Sequence, residues 1–303
     1  MAPSEQLKAL VNQMPDPDER GMYCHVVVGE LPADKGGKRK VETKPIDKDK
    51  IEKAIADIHK GGRENILGII DMLVEPGQGD DIKARYALHC LAVYVCTLKQ
   101  KEGDDSVRRD FSAVLASQLG ANRPKGVRAY LAQEVQVAGG PEAVPALGKL
   151  LLDQELCDWA ARAIVSIGAG AVEQFRAALP QAKGFARLTA LQNLGVLRDA
   201  ASAAAFRAAL SDPDREIRLA AAWGLARIGD AASADALLKA ADVGPGWERI
   251  QMTKACLMLA ENLVTAGRKG EATRIYTRLR DSRTDPTEKY VRDLAADAVA
   301  AMK

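Results

Sequence analysis

Three histidines and five cysteines are the side chains in this chain best suited to acid–base, nucleophilic or metal chemistry. His25, His59 and His89 lie far apart in the sequence, and no CxxC pair is present, so no bound transition metal is expected. Cys24, Cys90, Cys96, Cys157 and Cys256 are odd in number and scattered, which fits reduced thiols packed among apolar neighbours rather than a disulfide framework. Cys24-His25 and His89-Cys90 each set a thiol beside an imidazole. Neighbours on a strand point to opposite faces and neighbours on a helix diverge by about 100°, so neither pair forms a local dyad. Gly168-Ala169-Gly170 looks like half of a dinucleotide loop but lacks the third glycine and a preceding strand. Asp16-Pro17-Asp18 starts like a calcium loop without its third ligand or closing glutamate. Both read as turns. No catalytic residue and no cofactor is expected.

The elements that would position any site are helical. Of 303 residues, 47% are hydrophobic, 28% charged and only 4% aromatic, with alanine abundant from Ala113 onward. Alanine is the best helix former and lets helix axes approach closely. Forty-three basic against forty-one acidic residues leave a net charge of +2, too balanced for a bulk nucleic-acid binder. The longest uncharged apolar run, Tyr86 to Leu98, falls short of the roughly 20 residues that span a bilayer. The opening residues lack the apolar stretch of a secretion leader, so the chain as given reads as cytoplasmic, although a leader removed beforehand would leave no trace.

Repeats organise the chain. From Asp199, "DAASAAAFRAALSDPDREIRLAAAWGLARIG" reads as a helix, a turn at Ser211-Asp212-Pro213-Asp214, and a second helix stopping at Gly229. Pro213 suits the first turn of that second helix, and Gly229 its left-handed end. The motif restarts at Asp230-Ala231-Ala232, 31 residues on. Second helices with the same apolar stripe start at 82, 127, 156, 186, 217, 250 and 291, regular in the middle and irregular at the ends. A solenoid with capping repeats has this pattern.

Paired helices of about 30 residues with an Asp-Pro-Asp turn, Ile217-Arg218 and a close on Ile228-Gly229 resemble HEAT repeats, in the short form of phycobilisome-lyase-type proteins. The resemblance is strongest over 141–241, and 256–280 looks more like a tetratricopeptide pair. It implies an all-α, right-handed α-solenoid of about seven helix pairs over 47–303. HEAT-type proteins that hold iron carry His-Glu pairs; no His here precedes Glu, so that activity is not implied. The recurring pairs Asp212/Arg218, Gln181/Arg187 and Asn122/Arg128 resemble the structural ladder of such arrays. Residues 1–46 form an extension. Within it "GMYCHVVVGEL" and "KRKVET" flank a turn at Asp34–Gly37 and suit a hairpin, with a basic arm as the alternative. Lys35 to Lys44, rich in cations and glycine, is expected to be weakly attached. A helix over Lys48–Lys60 follows, stopping at Gly61-Gly62.

Function then rests on a surface. On the second helix at 217, Ile217, Ala221, Leu225 and Ile228 are expected to face the core, and Leu219, Ala222, Trp223 and Ala226 to point away. Equivalent positions are Asp158, Arg162 and Val165, then Leu188, Leu191 and Gln192, then Met252, Cys256 and Leu259. In a HEAT-like array, second helices line the concave side. This strip is apolar with few cations, unlike a phosphate-binding groove. The expectation is a non-catalytic scaffold that binds a protein or peptide through Arg162, Leu188, Gln192, Leu219 and Trp223. Trp223 packed as a wedge between helices is the alternative for that residue. The repeat subtype also suggests a bilin or tetrapyrrole lyase-like or chaperone subunit, and a third reading is the accessory arm of a larger enzyme complex.

Overall fold

The computed structural model describes residues 2–15, 31–32, 38–39, 46–120 and 122–302. Among the described residues the regular structure is helical apart from one two-stranded ribbon, and the chain divides into two compact units, 1–147 and 148–303.

In the first unit, α1 (Glu5–Val11) is a helix the sequence patterning did not disclose. Ser4 caps it, accepting a hydrogen bond from the Leu7 amide at 3.1 Å, and Leu7 and Val11 are buried. At seven residues it is too short to show a helical period, and it stands because it packs on α2 (Lys48–Lys60) and α3 (Gly62–Asp71). α2 has the bounds its spacing predicts: Asp47 accepts from the Lys50 amide at 3.0 Å, and Ile51, Ala54, Ile55 and Ile58 form its buried stripe. Three longer helices follow, α4 (Ile82–Glu102), α5 (Ser106–Leu119) and α6 (Lys125–Ala138), then the short α7 (Val144–Gly148). β1 (Leu31–Pro32) pairs antiparallel with β2 (Lys38–Arg39), Leu31 opposite Arg39. The rest of the expected hairpin, the remaining residues of the basic stretch Lys35–Lys44, the Asp16 turn and Cys24-His25 lie outside the described residues.

The second unit holds α8 (Cys157–Ile167), α9 (Ala171–Ala178), α10 (Gly184–Val196), α11 (Ala203–Ala209), α12 (Arg215–Ile228), α13 (Ala234–Ala240), α14 (Trp247–Thr265), α15 (Lys269–Ser282) and α16 (Lys289–Ala301). Its second helices pack in chain order, α8 on α10, α10 on α12, α12 on α14. Each first helix backs onto the second helix that follows it: α9 on α10, α11 on α12, α13 on α14, α15 on α16. This is solenoid stacking. Phe175, Phe206 and Leu237, at 31-residue steps, are fully buried on the first helices. The glycine pair Gly168 (φ 78°) and Gly170 (φ 73°) turns the chain between α8 and α9, as a repeat junction should.

Two local expectations change. Pro213 precedes α12 rather than opening it, because Asp214 is the cap and accepts from the Glu216 amide at 2.8 Å. Gly229 does end the helix in left-handed conformation, φ 76°. On α12, Ile217, Ala221 and Leu225 are buried as expected, but so are Ala222 and Ala226, while Ile228 is part-exposed. A helix flanked by α10, α12's neighbour on one side, and α14 on the other, with α11 behind, buries a wider arc than one stripe.

The arginine ladder closes within a repeat, as the Asp212/Arg218 spacing suggests, and also links successive repeats. Arg218 donates to the Asp212 and Pro213 carbonyls at 2.8 and 3.0 Å, tying down its own turn. The Asp212 carboxylate instead accepts from Arg187 of the preceding repeat at 3.2 Å. The fork of Arg218 grips Glu248 at 2.6 and 2.8 Å, and that of Arg249 grips Glu288 at 2.7 and 2.9 Å. A parallel ladder on the first helices joins Arg176 to Asp199 and Arg207 to Asp230. In both of these steps the aspartate also accepts from the serine three residues on, Ser202 or Ser233.

Candidate functional site

The packing of α10, α12 and α14 leaves a hollow of about 630 Å³ on their shared face. Its apolar lining comes from Val196, Leu219, Trp223, Trp247 and Met258. Gln192, Asn193, Gln251, Asp158, Glu216 and Lys254 supply the polar part. Three of the five residues expected on this surface, Gln192, Leu219 and Trp223, therefore come together. Leu188 is part-exposed on α10 outside the lining, and Arg162 is exposed beside it, 2.8 Å from Asp158 and stacked 5.2 Å above the Trp159 ring.

Trp223 combines both roles weighed for it. It is part-buried, and its ring edge lies against α10, where a Cβ built on Gly195 would come within 2.8 Å of the indole and 3.2 Å of the Gly224 Cα. Glycine at 195 is what lets the ring and the two helices approach. Arg227 covers the indole at 5.0 Å and donates to the Gly195 and Val196 carbonyls at 3.3 and 3.2 Å, neutralising the exposed carbonyl end of α10.

Along α14 the expected surface positions move. Met252, Cys256 and Leu259 are buried in the core, and Gln251, Lys254 and Met258 line the hollow instead. Aligning Ile250 with Ile217 slips the register by two residues. Arg187, Arg218 and Arg249, 31 residues apart, set the true one: each stands at the start of its helix and reaches an acid in the next repeat. In that register Ile250 answers to Leu219 and Lys254 to Trp223. Trp247, 59% exposed at the first turn of α14, escaped the pattern because it has no counterpart at the same place in α12. The constant arginine spacing was the signal available to find this frame.

Among the described residues, His59, His89, Cys90 and Cys256 sit in packed surroundings. His89 Nδ1 lies 3.2 and 3.3 Å from the carboxylate oxygens of buried Glu134, whose hydrogen bond raises the imidazole pKa. Cys90, its sequence neighbour, is pushed up to about 11 by burial, and Cys256 to about 12 for the same reason. His59 packs against Tyr94, ring centroids 5.5 Å apart. Among the described residues no three of His, Cys, Asp or Glu converge as a metal-ligand set, and no helix is long and apolar enough to cross a membrane.

No curated protein matches the chain. Among solved structures it is similar to a crystal structure of an engineered protein, with 20% identity, a TM-score of 0.45, and coverage of 86% of this chain and 75% of that one. The family model for HEAT repeats matches residues 172–257, which run from α9 into α14 and include most of the hollow's lining. The stretch that builds this surface is a run of HEAT repeats.

Proposed function

We propose that the chain is a protein-binding scaffold and that the face of α10, α12 and α14 is its docking surface. The observation that carries this reading is the clustering of apolar side chains there: Trp247 at 59% exposure and Val196 at 43%, with part-buried Leu219, Trp223 and Met258. Such patches, rimmed by amides and charges, are what protein partners bury. Elsewhere in the same unit Arg274 and Arg278 of α15 pair with Asp235 and Asp242. Among the described residues Lys254 is the one cation lining the hollow, whereas a nucleic-acid groove needs many phosphate-reaching cations.

The test is site-specific photo-crosslinking in the source cell. A photoreactive residue replacing Leu219 should give discrete higher-mass adducts, and the same residue replacing exposed Arg278 on α15 should not. Equal crosslinking from both positions, or none from Leu219, would remove the face from consideration.

A further inference from the structure

We infer that the occupant of this hollow is an extended peptide segment of about six residues carrying an acidic group, an inference that rests on the docking reading above. Neighbouring packed helices stand about 10 Å apart, so three of them present about 20 Å, the length of six residues of extended chain at roughly 3.3 Å each. Gln192 and Gln251 bring side-chain amides to the hollow, and neither has a hydrogen-bond partner among the described residues. An amide both donates and accepts, which matches the free N–H and C=O groups of an extended main chain. A helical partner satisfies its main chain internally and has no use for them. Trp223 and Trp247 supply apolar walls for the segment's side chains.

Charge selects the rest. Asp158 is paired with Arg162 at 2.8 Å and Glu216 with Arg215 at 2.8 Å, so both lining carboxylates are already neutralised. Lys254 is exposed and has no ion-pair partner among the described residues. The uncompensated charge facing the segment is therefore positive, and it calls for an aspartate, a glutamate or a terminal carboxylate.

The experiment screens immobilised full-length protein against a library of random linear peptides. Enriched peptides should share an acidic residue beside apolar ones without helical i, i+3, i+4 spacing. Replacing Gln192 and Gln251 together by alanine should weaken a selected peptide about five- to tenfold, as should methylating its main-chain nitrogens. Lys254→Glu should weaken it and remove the salt dependence of binding, with circular dichroism confirming that each variant is folded. Enrichment of amphipathic helical or basic peptides overturns the inference. So does failure to enrich any peptide: if Leu219 still crosslinks, the docking face stands and only the extended occupant falls, whereas loss of both retires the two readings together.

Discussion

Replacing the two indoles of the hollow one at a time separates packing from recognition. Trp223→Ala removes a ring lodged against Gly195 and covered by Arg227 at 5.0 Å. A fully enclosed Trp→Ala change costs about 3–5 kcal/mol, much of it from the cavity left behind. Here the space would open into the hollow and fill with water, so the cavity contribution falls away. Loss of the part-buried ring's packing, together with the cation–π contact, leaves about 2 kcal/mol of destabilisation. For a cooperative unit of about 150 residues that lowers Tm by roughly 4–8 °C. Trp247→Ala, at a 59% exposed position, should shift stability by no more than about 0.5 kcal/mol. Its effect should appear in binding, about thirtyfold for a selected peptide if the indole is a hot spot. Thermal unfolding followed by calorimetry, then titration with that peptide, reads both quantities. An unchanged Tm for Trp223→Ala would refute the wedge between α10 and α12. A Trp247→Ala variant that melts early yet binds normally would refute the division of labour.

The inter-repeat ladder predicts a coupling. Arg218→Ala should destabilise by about 1–2 kcal/mol, since it loses the Glu248 fork and leaves the Asp212 and Pro213 carbonyls to water, and a double-mutant cycle with Glu248→Ala should recover about 1 kcal/mol; strict additivity in urea denaturation would show the fork to be passive. The His89–Glu134 pair predicts a pH effect in the first unit. Because the folded imidazole pKa is raised, the pair's stabilisation is full below the ordinary imidazole range and is lost as pH rises through the folded value. Half of the ring is in solvent, so the loss should be only about 0.5 kcal/mol, and His89→Gln should abolish it; identical pH profiles of the two proteins would rule the pair out as its source.

The helices, their order and the repeat period were legible in the sequence because each repeat carries its own local signals. The apolar stripe of α2 and the left-handed stop at Gly229 each act within a few residues, and the Asp199/Asp230 restart repeats such local signals 31 residues on. So did the identity of Gln192, Leu219 and Trp223 as surface positions, which follows from helical geometry once the core stripe is drawn. What needed tertiary structure was anything set by a neighbouring helix. Ala222 and Ala226 are buried because α12 is covered on both sides, a fact no single-helix pattern contains. The register of α14 depends on which arginine meets which acid across repeats, Arg218 with Glu248 and Arg249 with Glu288, and those pairings join residues 30 or more apart in the sequence. Seven residues of α1 become a helix only because α2 and α3 give Leu7 and Val11 a place to be buried. Local patterning determined what the repeat segments become; the faces left exposed were decided by how segments cover one another, since burial belongs to pairs of elements and not to either sequence alone.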